Sequence, residues 1–106
     1  MTTNDNCLTK YAPKNAQRIA RAIVERAMRA SYTVSVNDGE EWTVLRSSDR
    51  RQIKDAMATT DFDRLLFRDA EGKAVGSVIL IYCNDSDCIS DHTDNEAMSA
   101  LVANLY

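Results

Sequence analysis

The sequence predicts an α+β domain in the order αββαββα, with a four-stranded, mainly antiparallel sheet and its helices packed on one side. Three observations carry that prediction. Apolar residues recur at helical spacing from residue 13 to about residue 30, two stretches alternate apolar and polar residues on either side of strong turn signals, and a second helical pattern closes the chain.

Residues 1–12 carry no periodicity and are expected to form a loose arm, leaving residues 13–106 as one domain. Pro13 suits a first helical turn, and Ala16, Ile19, Ala20, Ile23, Val24, Ala27 and Met28 make one apolar stripe. Lys14, Arg18, Arg21, Glu25 and Arg29 fall on the opposite side of that helix. They read first as an ordinary solvated helix back, and second as a surface for phosphates or an acidic partner.

Tyr32, Val34 and Val36 alternate with Thr33 and Ser35, Asn37-Asp38-Gly39 turns the chain, and Trp42 to Arg46 returns it. Ser47 or Ser48 can cap a short helix with Ile53, Ala56 and Met57 on its narrow apolar edge. The central stretch is Leu65 to Cys83, a hairpin turning at Asp69-Ala70-Glu71-Gly72. Its second strand puts Val75, Ile79, Ile81 and Cys83 on one face and Val78, Leu80 and Tyr82 on the other. Asn84 to His92 reads as a polar connection. Thr93-Asp94-Asn95-Glu96 has capping-box spacing, ahead of Ala97, Met98, Leu101, Val102 and Leu105 facing inward.

With 106 residues, 44% of them apolar and 27% charged, the chain can build one core without disulfides or metal. Cys7, Cys83 and Cys88 are an odd set, expected as free thiols in a reducing compartment. No apolar run reaches the roughly 18 residues of a membrane helix, and the first residues lack a secretory core, so a soluble intracellular protein is expected. The net charge of -3 is unevenly spread. Residues 1–30 hold six basic side chains against two acidic, whereas residues 84–106 hold five acidic and none basic. Such asymmetry bears on partners and steering.

Cys83, Cys88 and His92, with Asp85, Asp87 and Asp91 among them, are the only cluster that resembles metal chemistry. Their spacing lacks the tight cysteine pair of a structural zinc site, so no metal or other cofactor is expected. The three aspartates also lack the central Gly and terminal Glu of a calcium loop. Cys88 and His92 lack a third group to orient them as a nucleophile pair, and Gly39, Gly72 and Gly76 form no phosphate loop. The chain is therefore expected not to be an enzyme.

The segments VNDGEEWTV, FRDAEGKAVGSVILIY and ISDHTDNEAM resemble those of small proteins carried by bacteriophages and other mobile elements, over about the last three quarters of the chain. The resemblance transfers no catalytic residues. It implies a cytoplasmic protein of the host cell that binds and blocks a host complex, as anti-CRISPR proteins do. Two functional classes follow. The first is a protein-binding module using Asp85, Asp87 and Asp91 of the acidic loop with Trp42 and Tyr82 on an open sheet face; Leu66 and Leu80 are further candidates for that face. The second is a small nucleic-acid-binding or regulatory protein using Lys14, Arg18, Arg21 and Arg29. Nucleic acid ranks second because exposed helix faces are normally charged and the chain as a whole is acidic, and a homodimer is a candidate cover for a sheet apolar on both faces.

Overall fold

The computed structural model describes residues 14–82 and 88–105. Elements run α1 (Lys14–Arg29), β1 (Thr33–Asn37), β2 (Trp42–Ser47), α2 (Arg50–Ala56), β3 (Phe62–Arg68), β4 (Ala74–Ile81), β5 (Ile89–His92) and α3 (Glu96–Val102). The class is α+β as the sequence predicts, but the sheet has five antiparallel strands in the order β2-β1-β3-β4-β5. The additional strand lies in what read as a polar connection. Ser90 and Asp91 point to solvent from an edge strand, so only Ile89 supplies the buried side chain that alternation would register. The expected arm at residues 1–12 lies outside the described residues.

One face of the sheet builds the core. Val34, Val36, Val44, Leu65, Phe67, Val78, Leu80 and Tyr82 meet Ile19, Ile23 and Val24 of α1, Ile53 of α2, and Met98 and Leu101 of α3 in a single buried cluster. Helix α1 packs on α2, α3 and β1, α2 on β1 and β2, and α3 on β4 and β5. Gly76 brings α3 close. Its φ is +151°, and a Cβ there would stand 2.4 Å from Met98 Cγ, so only a bare backbone lets the helix settle on β4.

Termini and turns are closed by local hydrogen bonds. After α1 the Tyr32 N–H donates to Ala27 O and the Ser31 N–H to Met28 O, both at 3.0 Å, with Ser31 at φ 65°. This is a Schellman closure with serine where glycine is usual. The caps of the two short helices differ from the sequence prediction. Asp49, not Ser47 or Ser48, caps α2 by accepting from the Arg51 and Gln52 N–H groups, while Ser47 Oγ accepts from the Asp49 N–H. Asn95 caps α3 by accepting from the Met98 N–H at 2.8 Å, and Thr93 is drawn away to accept from the Ser77 N–H on β4. In the β1–β2 turn Asp38 accepts from the Glu41 and Glu40 N–H groups, which holds its carboxyl below the usual carboxylate range.

Candidate functional site

Strand alternation sends Phe62, Arg64, Leu66 and Arg68 of β3, and Ser77, Ile79 and Ile81 of β4, to the face away from the helices. Among the described residues no helix lies on that face, since all three contribute to the cluster on the other. Phe62, Leu66, Ile79 and Ile81 are half-buried on that face. One row of register partners crosses the whole sheet: Trp42, Asn37, Arg64, Ile79 and Asp91. Arg64 and Asp91 are both exposed on that row, with Ile79 between them. Neither is joined to the other by an ion pair among the described residues.

The expected partner residues divide. Trp42 is 42% exposed and stands with Leu45, 69% exposed, on the edge strand β2. Two register shifts and a left-handed Arg46 (φ 49°) bulge that strand. Asp91 is exposed on β5, where one carboxylate oxygen accepts from the His92 N–H. Asp85 and Asp87 lie outside the described residues, as does Cys83. Tyr82, expected on an open face, is instead 1% exposed in the core, and Leu80 is fully buried beside it. The reason is register: Tyr82 shares the parity of Val78 and Leu80, and that parity faces the helices. Cys88, weighed above with His92 as a nucleophile pair, is fully buried in the core cluster.

The basic stripe of α1 is partly committed within the fold. Arg18 donates to Leu105 O and Asn15 Oδ1, and Arg21 donates to Gln17 Oε1. Lys14 and Arg29 are exposed. Glu25 in the same stripe pairs with Lys54 at 2.7 Å and Arg50 at 3.1 Å, and the Lys54 contact is the chief cause of its lowered pKa. Arg26, which helical spacing leaves off both stripes, donates to Ala100, Leu101 and Ala103 carbonyls. It thereby satisfies carbonyls left open where α3 ends, a favoured place for a cation.

Sequence reasoning passed over Asp63. Strand β3 begins at Phe62, three residues before the apolar alternation, and Asp63 has the same inward parity as Leu65 and Phe67. That parity was the available signal. The carboxylate is fully buried; Oδ2 accepts from the Tyr82 hydroxyl at 2.6 Å and the Ala58 N–H at 2.7 Å, and Oδ1 has no hydrogen-bond partner. Desolvation outweighs those two bonds and pushes the Asp63 pKa up to about 6. Burial and the adjacent carboxylate likewise push the Tyr82 hydroxyl well above its ordinary value. Tyr82 also lines a cavity of about 220 Å³ between α1 and α2, with Gln17, Arg21, Lys54, Met57 and Ala58. This volume lies below the usual range for small-molecule sites.

Among the described residues no group of three or more His, Cys, Asp or Glu side chains is arranged to hold a metal ion, and no helix is long and apolar enough to cross a membrane. Comparison of the chain with protein-family models, with curated proteins and with solved structures finds no match.

Proposed function

We propose that this chain is a non-enzymatic protein-binding module that engages its partner through the β2 edge, with Trp42 and Leu45 as apolar anchors. The observation that carries this reading is the placement on one edge strand of both large apolar side chains that are exposed among the described residues. Aromatic anchors of this kind supply much of the binding energy once a partner removes them from water. The bulges in β2 twist its outer backbone away from regular pairing, so the contact is made by side chains and not by addition of a strand. Asp91, with Asp85 and Asp87, supplies negative charge that would steer a basic partner and set its orientation.

The resemblance to small bacteriophage proteins supports a narrower form of the same reading, an inhibitor of a host defence complex acting in the host cytoplasm. Nucleic-acid binding through Lys14, Arg18, Arg21 and Arg29 has less support, because Arg18 already donates to Leu105 O beyond the end of α3 and Glu25 interrupts the stripe. Retention of host proteins on the immobilised chain tests the two. Trp42→Ala combined with Leu45→Ser is expected to lose the retained complex at unchanged melting temperature. Retention at the wild-type level by that variant, with loss on reversing Arg18, Arg21 and Arg29, would put the basic stripe in its place. A steep fall of duplex-DNA affinity with salt would point the same way.

A further inference from the structure

We propose that a second copy of this chain covers the sheet face away from the helices over β3, β4 and β5, about a two-fold axis that runs along β4 past Ile79. The register fixes the geometry. Arg64 on β3, Ile79 on β4 and Asp91 on β5 are consecutive partners in one row, so the cation and the carboxylate stand one strand to either side of Ile79. Neighbouring strands are about 4.8 Å apart, which leaves the two backbones nearly 10 Å from each other with an isoleucine between.

A two-fold axis along β4 exchanges left and right across the row when one sheet is laid face to face on another. Ile79 then meets Ile79 of the second copy, and Arg64 of each copy stands over Asp91 of the other. A two-fold axis perpendicular to the strands would instead set Arg64 over Arg64. Charge therefore selects the first arrangement and opposes the second. Leu66 and Ile81, half-buried on the same face, lose their remaining exposure to the facing sheet. Sheets pack about 10 Å apart, within reach of an arginine and an aspartate that point toward each other.

The overlap is limited to three strands, about 14 Å wide, because β5 is an edge and the partner's β1 and β2 project beyond it. Two consequences follow. The contact is smaller than a standard interface, so the dimer is expected to dissociate in the micromolar range. Trp42 and Leu45 stay outside it, which leaves the β2 edge open; the dimer neither depends on nor excludes the reading given above.

Sedimentation velocity at low salt tests the arrangement, using the full chain from about 1 to about 200 µM, a range that brackets a micromolar dimer. The wild type is expected to shift with concentration from 11.9 kDa towards twice that mass. Arg64→Glu and Asp91→Arg, each confirmed folded by circular dichroism, should each weaken association about tenfold or more, and the double swap R64E/D91R should restore it. Ile79→Lys at the axis should abolish it. A wild type that stays at 11.9 kDa throughout, single variants that associate like wild type, or a folded double swap that stays as weak as the singles would each overturn the proposal.

Discussion

The Tyr82 hydroxyl donates a 2.6 Å hydrogen bond to Asp63 Oδ2 between the ends of β3 and β4, where both side chains are shut off from water. The bond closes the bottom of the core beneath α2, since the same oxygen takes the Ala58 N–H from the turn that follows that helix. A carboxylate so placed has two good donors on one oxygen and none on the other. Its burial costs more than its bonds return, and this sets how the protein responds to pH.

Asp63 should make the fold less stable as pH rises. Its pKa is raised from 3.8 unfolded to about 6 folded, so between those values the folded chain holds a proton that the unfolded chain has lost. Stability from this group is fully present below pH 3.8, falls as pH climbs, and is lost above about 6. The whole effect is at most about 3 kcal/mol. Other carboxylates act in the opposite sense, Glu25 and Asp38 having lowered values. The check is therefore the difference between wild type and Asp63→Asn in urea unfolding at pH 4 and pH 8. The variant, which keeps an acceptor for Tyr82, should gain on the wild type by about 2 to 3 kcal/mol across that interval.

Tyr82→Phe removes one of the two donors and leaves the carboxylate with Ala58 alone. A loss of about 1 to 3 kcal/mol at pH 7 is expected, the usual range for stranding a buried acceptor. Because the lost bond favoured the ionised form, the pH at which Asp63 titrates should move up, readable in the carboxyl carbon shift by NMR. A downward movement would show that Tyr82 does not act as the donor.

Gly76→Ala should destabilise by about 1 to 3 kcal/mol, the usual cost of overpacking, with added backbone strain at φ +151°. The new methyl group would drive against Met98 Cγ in a side chain that is fully buried. Met98→Ala should cost less in this background than in the wild type, because there it also removes the atom that clashes. Chemical denaturation of the single and double variants gives the coupling directly.

Ser31→Gly should stabilise the chain by up to about 1 kcal/mol, since serine in the left-handed region has a penalty that glycine lacks. Nothing else about the helix end needs to change, because the closing bonds from Tyr32 and Ser31 are made by backbone N–H groups. Thermal unfolding at fixed pH would show the gain as a higher midpoint.

The amphipathic period of α1, both hairpin turns and the inward set of α3 are legible in the chain because each depends on residues within four positions of one another. Asn37 and Asp38 accept from the N–H groups of their own turn, and Asp69 from those of Glu71 and Lys73. The caps at Asp49 and Asn95 were less legible. Ser47 and Thr93 have the right chemistry, but their hydroxyls are used elsewhere, Ser47 locally by the Asp49 N–H and Gln52 Oε1 and Thr93 across the sheet by the Ser77 N–H.

What the sequence determined alone was local: which stretches are helical, where the hairpins turn, and which residues share a strand face. It also paired Val78, Leu80 and Tyr82 on one face, but could not say that this face looks at the helices. That choice depends on which face of the sheet α1, α2 and α3 all occupy, a matter of the total apolar surface buried and not of any one strand. The same decision put Tyr82 against Asp63, made a fifth strand worth forming beside β4, and turned Arg64, Ile79 and Asp91 outward in one row. Tyr82 with Asp63, Arg64 with Ile79 and Ile79 with Asp91 each join residues more than ten positions apart, and such contacts arise only when the whole chain closes over one core.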